Sequence, residues 1–213
     1  MPHSPCRIAV LLSGGGTTMV NLEEHIRNGS VPAEICIVVS SRKKVLGVER
    51  AERLGLPTAL LSRKPFVTDG IFDSAAYSQA LIDLLVPHKP DLVVMAGFMT
   101  RLGKTMTERF DVLNVHPALL PSFGGEGFYG HHVHEAVLAA GVKLSGATVH
   151  FADAEYDHGP IVLQEAVPVL EDDTPDTLAD RVQACERRIY PKAVALYAQG
   201  RLERQGGRVR IRR

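Results

Sequence analysis

The side chains best suited to acid–base chemistry are Asn114 and His116, which follow a short apolar segment in the sequence NVHP. On an extended chain, residues two apart point to the same side. An amide donor beside an imidazole can polarise a carbonyl group and move a proton near neutral pH. The alternative is a capped strand end with a hydrogen-bonded histidine. Asp157, in the polar turn DHGP, offers a carboxylate, although such a turn by itself is typical of a surface loop.

A second candidate site is the glycine-rich segment at residues 13–18 (SGGGTT), which lies between an apolar segment and a helical one. Glycines let the backbone approach an anion closely, and the N–H groups at a helix N-terminus point towards it. The spacing matches neither a P-loop nor the complete dinucleotide fingerprint. Phosphate binding and a purely steric tight turn therefore both remain open. A position after the first strand of an α/β sheet favours a ligand site.

These segments require a frame of alternating strands and helices. Apolar runs predict strands at residues 7–12, 35–39, 58–61, 92–96, 112–115, 146–151 and 161–170. Helical spacing predicts helices at residues 17–28, 45–54, 75–86 and 133–140, and a long helix capped by Thr174. Strands that alternate with helices indicate a parallel sheet joined by right-handed crossovers.

We therefore predict an α/β fold: a single Rossmann-like domain with a mostly parallel central sheet, helices on both faces and a small C-terminal hairpin at residues 201–211. The domain would span residues 1–213. Its phosphate-binding half, with the glycine-rich segment, would cover about residues 7–97, and its catalytic half, with Asn114, His116 and Asp157, about residues 98–200.

Composition excludes several protein classes. The 213 residues include 24 Lys plus Arg and 24 Asp plus Glu, and this balance argues against a nucleic-acid binder. The arginine-rich end, which includes Arg213, is accordingly expected to be a solvated hairpin and tail. No apolar run is long enough to span a membrane. The polar start predicts no secretory signal, and three widely spaced cysteines fit free thiols in a reducing cytoplasm.

Five further motifs follow the glycine loop in a fixed order. They are residues 96–99 (AGFM), 114–121 (NVHPALLP), 146–151 (GATVHF), 157–164 (DHGPIVLQ) and 186–191 (ERRIYP). This series, from about residue 7 to residue 211, resembles the phosphoribosylglycinamide formyltransferase family. The pairing of Asn-x-His-Pro with Asp-x-Gly-Pro resembles folate-dependent formyltransferases and their deformylase relatives.

The resemblance implies a reaction and a role for each motif. The family transfers the formyl group of 10-formyltetrahydrofolate to the amine of glycinamide ribonucleotide in purine biosynthesis, without a metal. Asn114, His116 and Asp157 would form the catalytic set, in which Asn114 and a protonated His116 stabilise the developing oxyanion and Asp157 raises the pKa of His116. Protons would then move from the amine to the departing folate nitrogen through His116 or an ordered water. The other implied contacts are the substrate-binding residues Gly15, Gly16, Thr17, Thr18 and Glu186, and the folate-binding residues Met99, Thr100, Arg101, Leu102 and Asn114.

The sequence departs from the family pattern at several points. Thr17 and Thr18 replace the usual Ser-Asn, and Thr100 comes before Arg101 where the family often has Phe-Met-Arg. A basic residue commonly found before the third helix has no match at residues 74–76, so Arg63 or Lys64 could grip the folate tail instead. The loop at residues 122–130 is longer than usual. It is either a mobile lid tipped by Phe128 and Tyr129 or a surface insertion.

Other functions fit the sequence less well than formyl transfer to glycinamide ribonucleotide. A zinc site could be imagined among His131, His132 and His134, but no metal-ligand motif is present and we expect no metal. A deformylase would need an extra N-terminal domain, and a methionyl-tRNA formyltransferase a C-terminal RNA-binding domain. A non-catalytic nucleotide-binding module would not need the Asn-His-Asp set. We expect small-molecule substrates, no nucleic acid, no membrane, and a monomer or weak homodimer.

Overall fold

The computed structural model describes residues 4–212. The first three residues and Arg213 lie outside the described residues, and with them part of the polar start and the last arginine of the tail. The strands are β1 Cys6–Leu12, β2 Ala33–Ser40, β3 Thr58–Leu60, β4 Val67–Thr68, β5 Ile71–Phe72, β6 Leu92–Met95, β7 Val112–His116, β8 Leu144–Phe151, β9 Ile161–Pro168, β10 Leu202–Gln205 and β11 Arg208–Ile211. The α-helices are α1 Thr17–Arg27, α2 Leu46–Arg53, α3 Ser74–Leu85, α4 Lys104–Arg109, α5 His131–Ala139 and α6 Pro175–Ala198.

Seven strands form the central sheet, in the order β3-β2-β1-β6-β7-β8-β9. The pairs β1–β2, β2–β3 and β1–β6 are parallel, whereas β8 and β9 pair antiparallel. Residues 8–12 of β1 are completely buried, so both faces of this strand are covered. The predicted α/β class, mostly parallel sheet and C-terminal hairpin are confirmed.

Contacts group the chain into two compact units, Met1–Leu113 and Asn114–Arg213. The first unit includes the segment that contains Met99. The sequence instead predicts a boundary between the two halves near residue 97. Assignment of the whole chain to a single domain stays a prediction.

Helix ends follow the local sequence closely. Thr174 caps α6 through a reciprocal hydrogen-bond pair with Thr177, and Pro175 occupies the first helical turn, as predicted. Asp173, the residue before this cap, accepts two hydrogen bonds from Arg181, at 2.6 and 2.9 Å. The Arg181 guanidinium holds the pKa of Asp173 well below its usual range. No helix within residues 4–212 is both long and apolar enough to cross a membrane.

Candidate active site

Strand β7 brings Asn114 and His116 to the same cluster of polar side chains. Asn114 donates from Nδ2 to Nε2 of His150, at 3.2 Å, and His116 lies with Nδ1 3.3 Å from Oδ2 of Asp157. His150 Nε2 is in turn 3.6 Å from the other oxygen of Asp157. The three residues predicted as a catalytic set are therefore brought together in the second unit, with His150 between Asn114 and Asp157.

Both ring nitrogens of His116 face oxygen acceptors. Nε2 donates to the carbonyl oxygen of Phe123 at 2.7 Å, while Nδ1 faces the Asp157 carboxylate. A neutral imidazole has one N–H and can satisfy only one of these acceptors, so the contacts favour the imidazolium.

Burial acts in the opposite direction. The His116 side chain is 4% exposed, and this burial lowers its pKa below the ordinary value, with Asp157 and the Phe123 carbonyl raising it only in part. The expected upward influence of Asp157 is present, but the net shift is downward because desolvation is the larger effect.

Asp157 is held from several sides. Its backbone has a positive φ of 54°, and its Oδ2 accepts a hydrogen bond from the Gly125 N–H at 3.1 Å. Burial raises its pKa, but the close approach of His150, the charge of His116 and the Gly125 N–H outweigh this effect and hold the pKa of Asp157 below its usual value. The carboxylate is therefore ionised and able to stabilise positive charge on either histidine.

His150 is a functional candidate to which the sequence analysis gives no role of its own, although it lies in the motif at residues 146–151. It is 1% exposed, and its Nδ1 lies 3.1 Å from the carbonyl oxygen of Phe151. A carbonyl only accepts, so Nδ1 carries a proton and Nε2 can accept from Asn114. The signal that could have revealed His150 is its place near the end of β8, a neighbour of β7 in the sheet.

Thr148 fixes the chain that follows His116. Its Oγ1 donates to the carbonyl of Ala118 at 2.6 Å and accepts from the Leu120 N–H at 3.1 Å. Gln164 Nε2 donates both to this oxygen and to the Leu120 carbonyl. This network fixes the backbone at Ala118 and Leu120, which connects β7 to the loop at residues 122–130.

The base of the loop at residues 122–130 belongs to the polar cluster of Asn114, His116 and Asp157, through the Phe123 carbonyl and the Gly125 N–H described above. Gly124 is packed so closely that a Cβ there would lie 2.4 Å from a Leu120 methyl carbon and 3.2 Å from Asp157 Cβ. The tip is different, because Tyr129 is 51% exposed and packs edge-on against His132. Whether the tip acts as a lid stays a prediction.

The glycine loop lies in the first unit between β1 and α1. Gly16 has a φ of 71°, and a Cβ there would lie 2.6 Å from Cα of Gly47 in α2. Both the backbone conformation and the close approach therefore require glycine. Thr17 and Thr18 begin α1, whose first-turn N–H groups have no partner within the helix. The predicted substrate-binding residues of this segment thus form an uncharged helix N-terminus.

The predicted folate segment divides into exposed and buried residues. Met99 is 48% exposed and Arg101 is exposed, whereas Thr100 and Leu102 are buried. The Thr100 side chain hydrogen-bonds with Tyr77, so it supports the segment from inside. Ser13 ties this segment to the glycine loop, because its Oγ accepts from the Met99 N–H at 2.8 Å and its N–H donates to the Gly97 carbonyl at 3.1 Å.

The remaining predicted site residues are separate features. Glu186 lies in α6, and burial raises its pKa to about 7. Arg63 stacks its guanidinium 4.4 Å from the ring centre of Phe72, and Lys64 begins a short 3₁₀ helix. Among residues 4–212, no group of three or more His, Cys, Asp or Glu side chains is arranged to hold a metal ion.

Comparison with known proteins identifies the family of the chain. A family model described as formyl transferase matches residues 6–194, most of the length of the chain. The chain belongs to the formyl transferase family. The match spans the Asn114, His116 and Asp157 cluster as well as the glycine loop.

Named relatives of the chain include the trifunctional purine biosynthetic protein adenosine-3 of Bos taurus, 40% identical over 91% of the chain. The chain spans only 18% of that protein's length. The chloroplastic phosphoribosylglycinamide formyltransferase of Arabidopsis thaliana is 37% identical, and the match covers 94% of the chain and 69% of the relative.

A solved structure supports the fold of this formyl transferase over nearly its full length. The crystal structure of glycinamide ribonucleotide transformylase 1 from Symbiobacterium toebii aligns with a TM-score of 0.90 and 40% identity. The alignment covers 99% of the chain and 95% of that structure. The family resemblance predicted from the motifs is confirmed, while the role of each site residue stays a prediction.

Proposed function

We propose that this formyl transferase moves the formyl group of 10-formyltetrahydrofolate to the amine of 5'-phosphoribosylglycinamide, a step of purine biosynthesis. The observation that carries the proposal is the convergence of Asn114, His116 and Asp157 in a chain that matches the formyl transferase family along most of its length. The named relatives support the choice of acceptor.

The reaction begins when the substrate amine attacks the formyl carbon, and the carbonyl oxygen becomes an oxyanion. Asn114 is suited to donate to this oxyanion, because an amide nitrogen has two N–H groups and His150 takes one of them. The hydrogen bond to His150 therefore orients Asn114 with its second N–H available for substrate.

His116 is suited to carry the proton. Its lowered pKa keeps the ring neutral in the resting protein, so it can accept the proton that the attacking amine loses. The imidazolium that results is stabilised by the Asp157 carboxylate and returns the proton to the departing folate nitrogen. Nε2 is the nitrogen we assign to this transfer. Substrate must then displace the Phe123 carbonyl, which faces Nε2 in the structure, and the single proton of the neutral ring must lie on Nδ1, where it donates to Asp157 and leaves Nε2 able to accept.

Substrate binding is assigned to the remaining predicted residues. The N–H groups of the glycine loop and the hydroxyls of Thr17 and Thr18 would hold the ribonucleotide phosphate, and Glu186 its sugar or glycinamide part. The exposed Met99 and the backbone of residues 99–102 would contact the folate. We also propose that the protein works in the cytoplasm on small molecules, without metal or nucleic acid, as a monomer or weak homodimer.

The experiment that tests this proposal offers one donor and three acceptors. Purified protein is supplied with 10-formyltetrahydrofolate and either glycinamide ribonucleotide, water alone or methionyl-tRNA, and formylated product is measured. The proposal expects formylated ribonucleotide as the main product, in an amount that matches the tetrahydrofolate released. Release of formate regardless of acceptor would show a deformylase and would overturn it, as would preferential formylation of the tRNA.

A further inference from the structure

The glycine loop has no cation of its own, although a phosphate ligand carries negative charge. Residues 13–18 contain only Ser, Gly and Thr. A cation is supplied from the neighbouring helix α2, where Nη1 of Arg50 donates to the Gly15 carbonyl at 2.7 Å. This is the one hydrogen bond of the Arg50 guanidinium within the described part of the chain, so its positive charge is held beside the loop.

Arg50 is one of three donors that hold successive carbonyls of the loop. The Gly14 carbonyl accepts from the Gly47 N–H at 3.0 Å, the Gly15 carbonyl from Arg50, and the Gly16 carbonyl from the Val20 N–H at 3.0 Å. In a trans peptide, the N–H of the next residue points opposite to the carbonyl. Fixing these carbonyls therefore directs the following N–H groups away from their protein donors, as in an anion-binding nest.

The charge of Arg50 is not neutralised by a partner on its own helix. The nearby acid Glu49 pairs with Arg53, one turn along, at 3.5 Å. Glu49 and Arg50 are adjacent in the sequence and do not face each other on the helix. The Arg50 guanidinium is directed at the loop, where a doubly charged phosphate would gain from its charge. Arg53 has the same chemistry and lies on the same helix without contacting the loop, so it provides a matched control.

We propose that Arg50 is a positioning residue for the ribonucleotide phosphate, which both fixes the glycine loop through the Gly15 carbonyl and adds the positive charge that the loop lacks. This assignment rests on the proposed function, because it takes the glycine loop as the phosphate site. Arg50 has no part in the chemical step, so its effect belongs to ribonucleotide binding alone.

The test compares Arg50→Gln, Arg50→Lys and Arg53→Gln with the parent enzyme. Arg50→Gln should raise the KM for glycinamide ribonucleotide about 10- to 100-fold, the range expected for a lost charge-assisted hydrogen bond, with kcat and the folate KM nearly unchanged. Arg50→Lys should recover part of the loss, since it restores charge without the guanidinium fork. Arg53→Gln should behave as the parent. Competitive inhibition by inorganic phosphate should weaken in parallel with the ribonucleotide KM.

A substrate without its phosphate separates this role from a general structural one. With glycinamide riboside as acceptor, Arg50→Gln and the parent should have equal kcat/KM, because the group that Arg50 serves is missing. Equal losses on both acceptors, or an unchanged ribonucleotide KM, would overturn the assignment. Failure of the proposed function is seen separately, since the parent itself would then not formylate the ribonucleotide.

Discussion

At His116, burial and a neighbouring carboxylate act on the same ring in opposite directions. Burial keeps the resting imidazole neutral, and Asp157 limits how far its pKa falls. This balance suits a group that must first accept a proton and then give it up, because neither protonation state is strongly trapped. The proposed mechanism therefore has a definite pH dependence.

We expect activity to fall as the pH drops through the lowered pKa of His116, since the proton acceptor is lost on protonation. Asp157→Asn removes the carboxylate that raises this pKa, so the acidic limb of the kcat profile should move to lower pH. The maximum kcat should fall about 10²- to 10⁴-fold, because the imidazolium loses its counter-charge. Profiles of kcat against pH for both enzymes measure this effect, and an unmoved or upward-shifted limb would contradict it.

Glu186 gives a second pH dependence at the scale of one residue. Its pKa of about 7 means that the carboxyl group loses its proton near neutrality. If the carboxylate accepts hydrogen bonds from the ribonucleotide, the KM for the ribonucleotide should fall about tenfold between about pH 6 and about pH 8. Glu186→Gln should remove this component and leave only the ionisation of the substrate phosphate. The measurement is the ribonucleotide KM as a function of pH in the parent and in Glu186→Gln. The same pH dependence in both enzymes would show that Glu186 does not bind substrate.

Among the structural elements, the glycine loop and the segment at residues 97–102 are joined through one buried side chain. Ser13 is 2% exposed, and besides its bonds to Gly97 and Met99 it shares a 2.6 Å hydrogen bond with Ser41. The segment proposed to bind folate therefore takes its backbone position partly from a residue of the loop proposed to bind phosphate.

Ser13→Ala should loosen the segment proposed to bind folate, because the Met99 N–H loses its acceptor. The folate KM should rise about 5- to 100-fold, which corresponds to the cost of an unsatisfied polar group. The ribonucleotide KM should change much less, since the glycines themselves are intact. Initial rates measured with each substrate varied in turn give the two KM values separately. Ser30→Ala, in the exposed turn after α1, is the control, and an equal rise in both KM values would refute the expectation.

How far the elements could be predicted depended on their length and pattern. Strands with continuous apolar runs, such as β1, and helices with caps, such as α6, were predicted to within a few residues. Helix α4 has six residues, and β4 and β5 have two each, so none shows a period that a sequence pattern can reveal. These short elements owe their form to tertiary contacts, as when the Gly103 N–H before α4 donates to Ser78 Oγ.

The site divides in a similar way. Asn114, His116 and Asp157 were found because their motifs carry a family resemblance. His150 and the Phe123 carbonyl were not found, because they act through long-range contacts: one is a strand histidine 36 residues from Asn114, and the other is a backbone atom. Composition cannot reveal which side chains a sheet places beside each other. The net downward pKa shift of His116 likewise depends on burial, which becomes known only with the fold.

For the molecule as a whole, the predicted roles are distributed over both compact units. Unit Met1–Leu113 carries the residues proposed to bind phosphate and folate, and unit Asn114–Arg213 carries the polar cluster proposed for catalysis together with Glu186. His116 is proposed for proton transfer and is not among the residues proposed to bind the ribonucleotide, so its loss should leave ribonucleotide binding largely intact. This separation of binding from chemistry at His116 is the basis of the most direct test.

The central claim is that His116 carries the proton during formyl transfer to glycinamide ribonucleotide. We would measure single-turnover formyl transfer and the ribonucleotide Kd for the parent, His116→Ala and the control His131→Ala, whose side chain is 60% exposed in α5. The account predicts a rate about 10²- to 10⁴-fold lower in His116→Ala with a nearly unchanged Kd, and parent behaviour in His131→Ala. A His116→Ala enzyme that transfers the formyl group at close to the parent rate would contradict it.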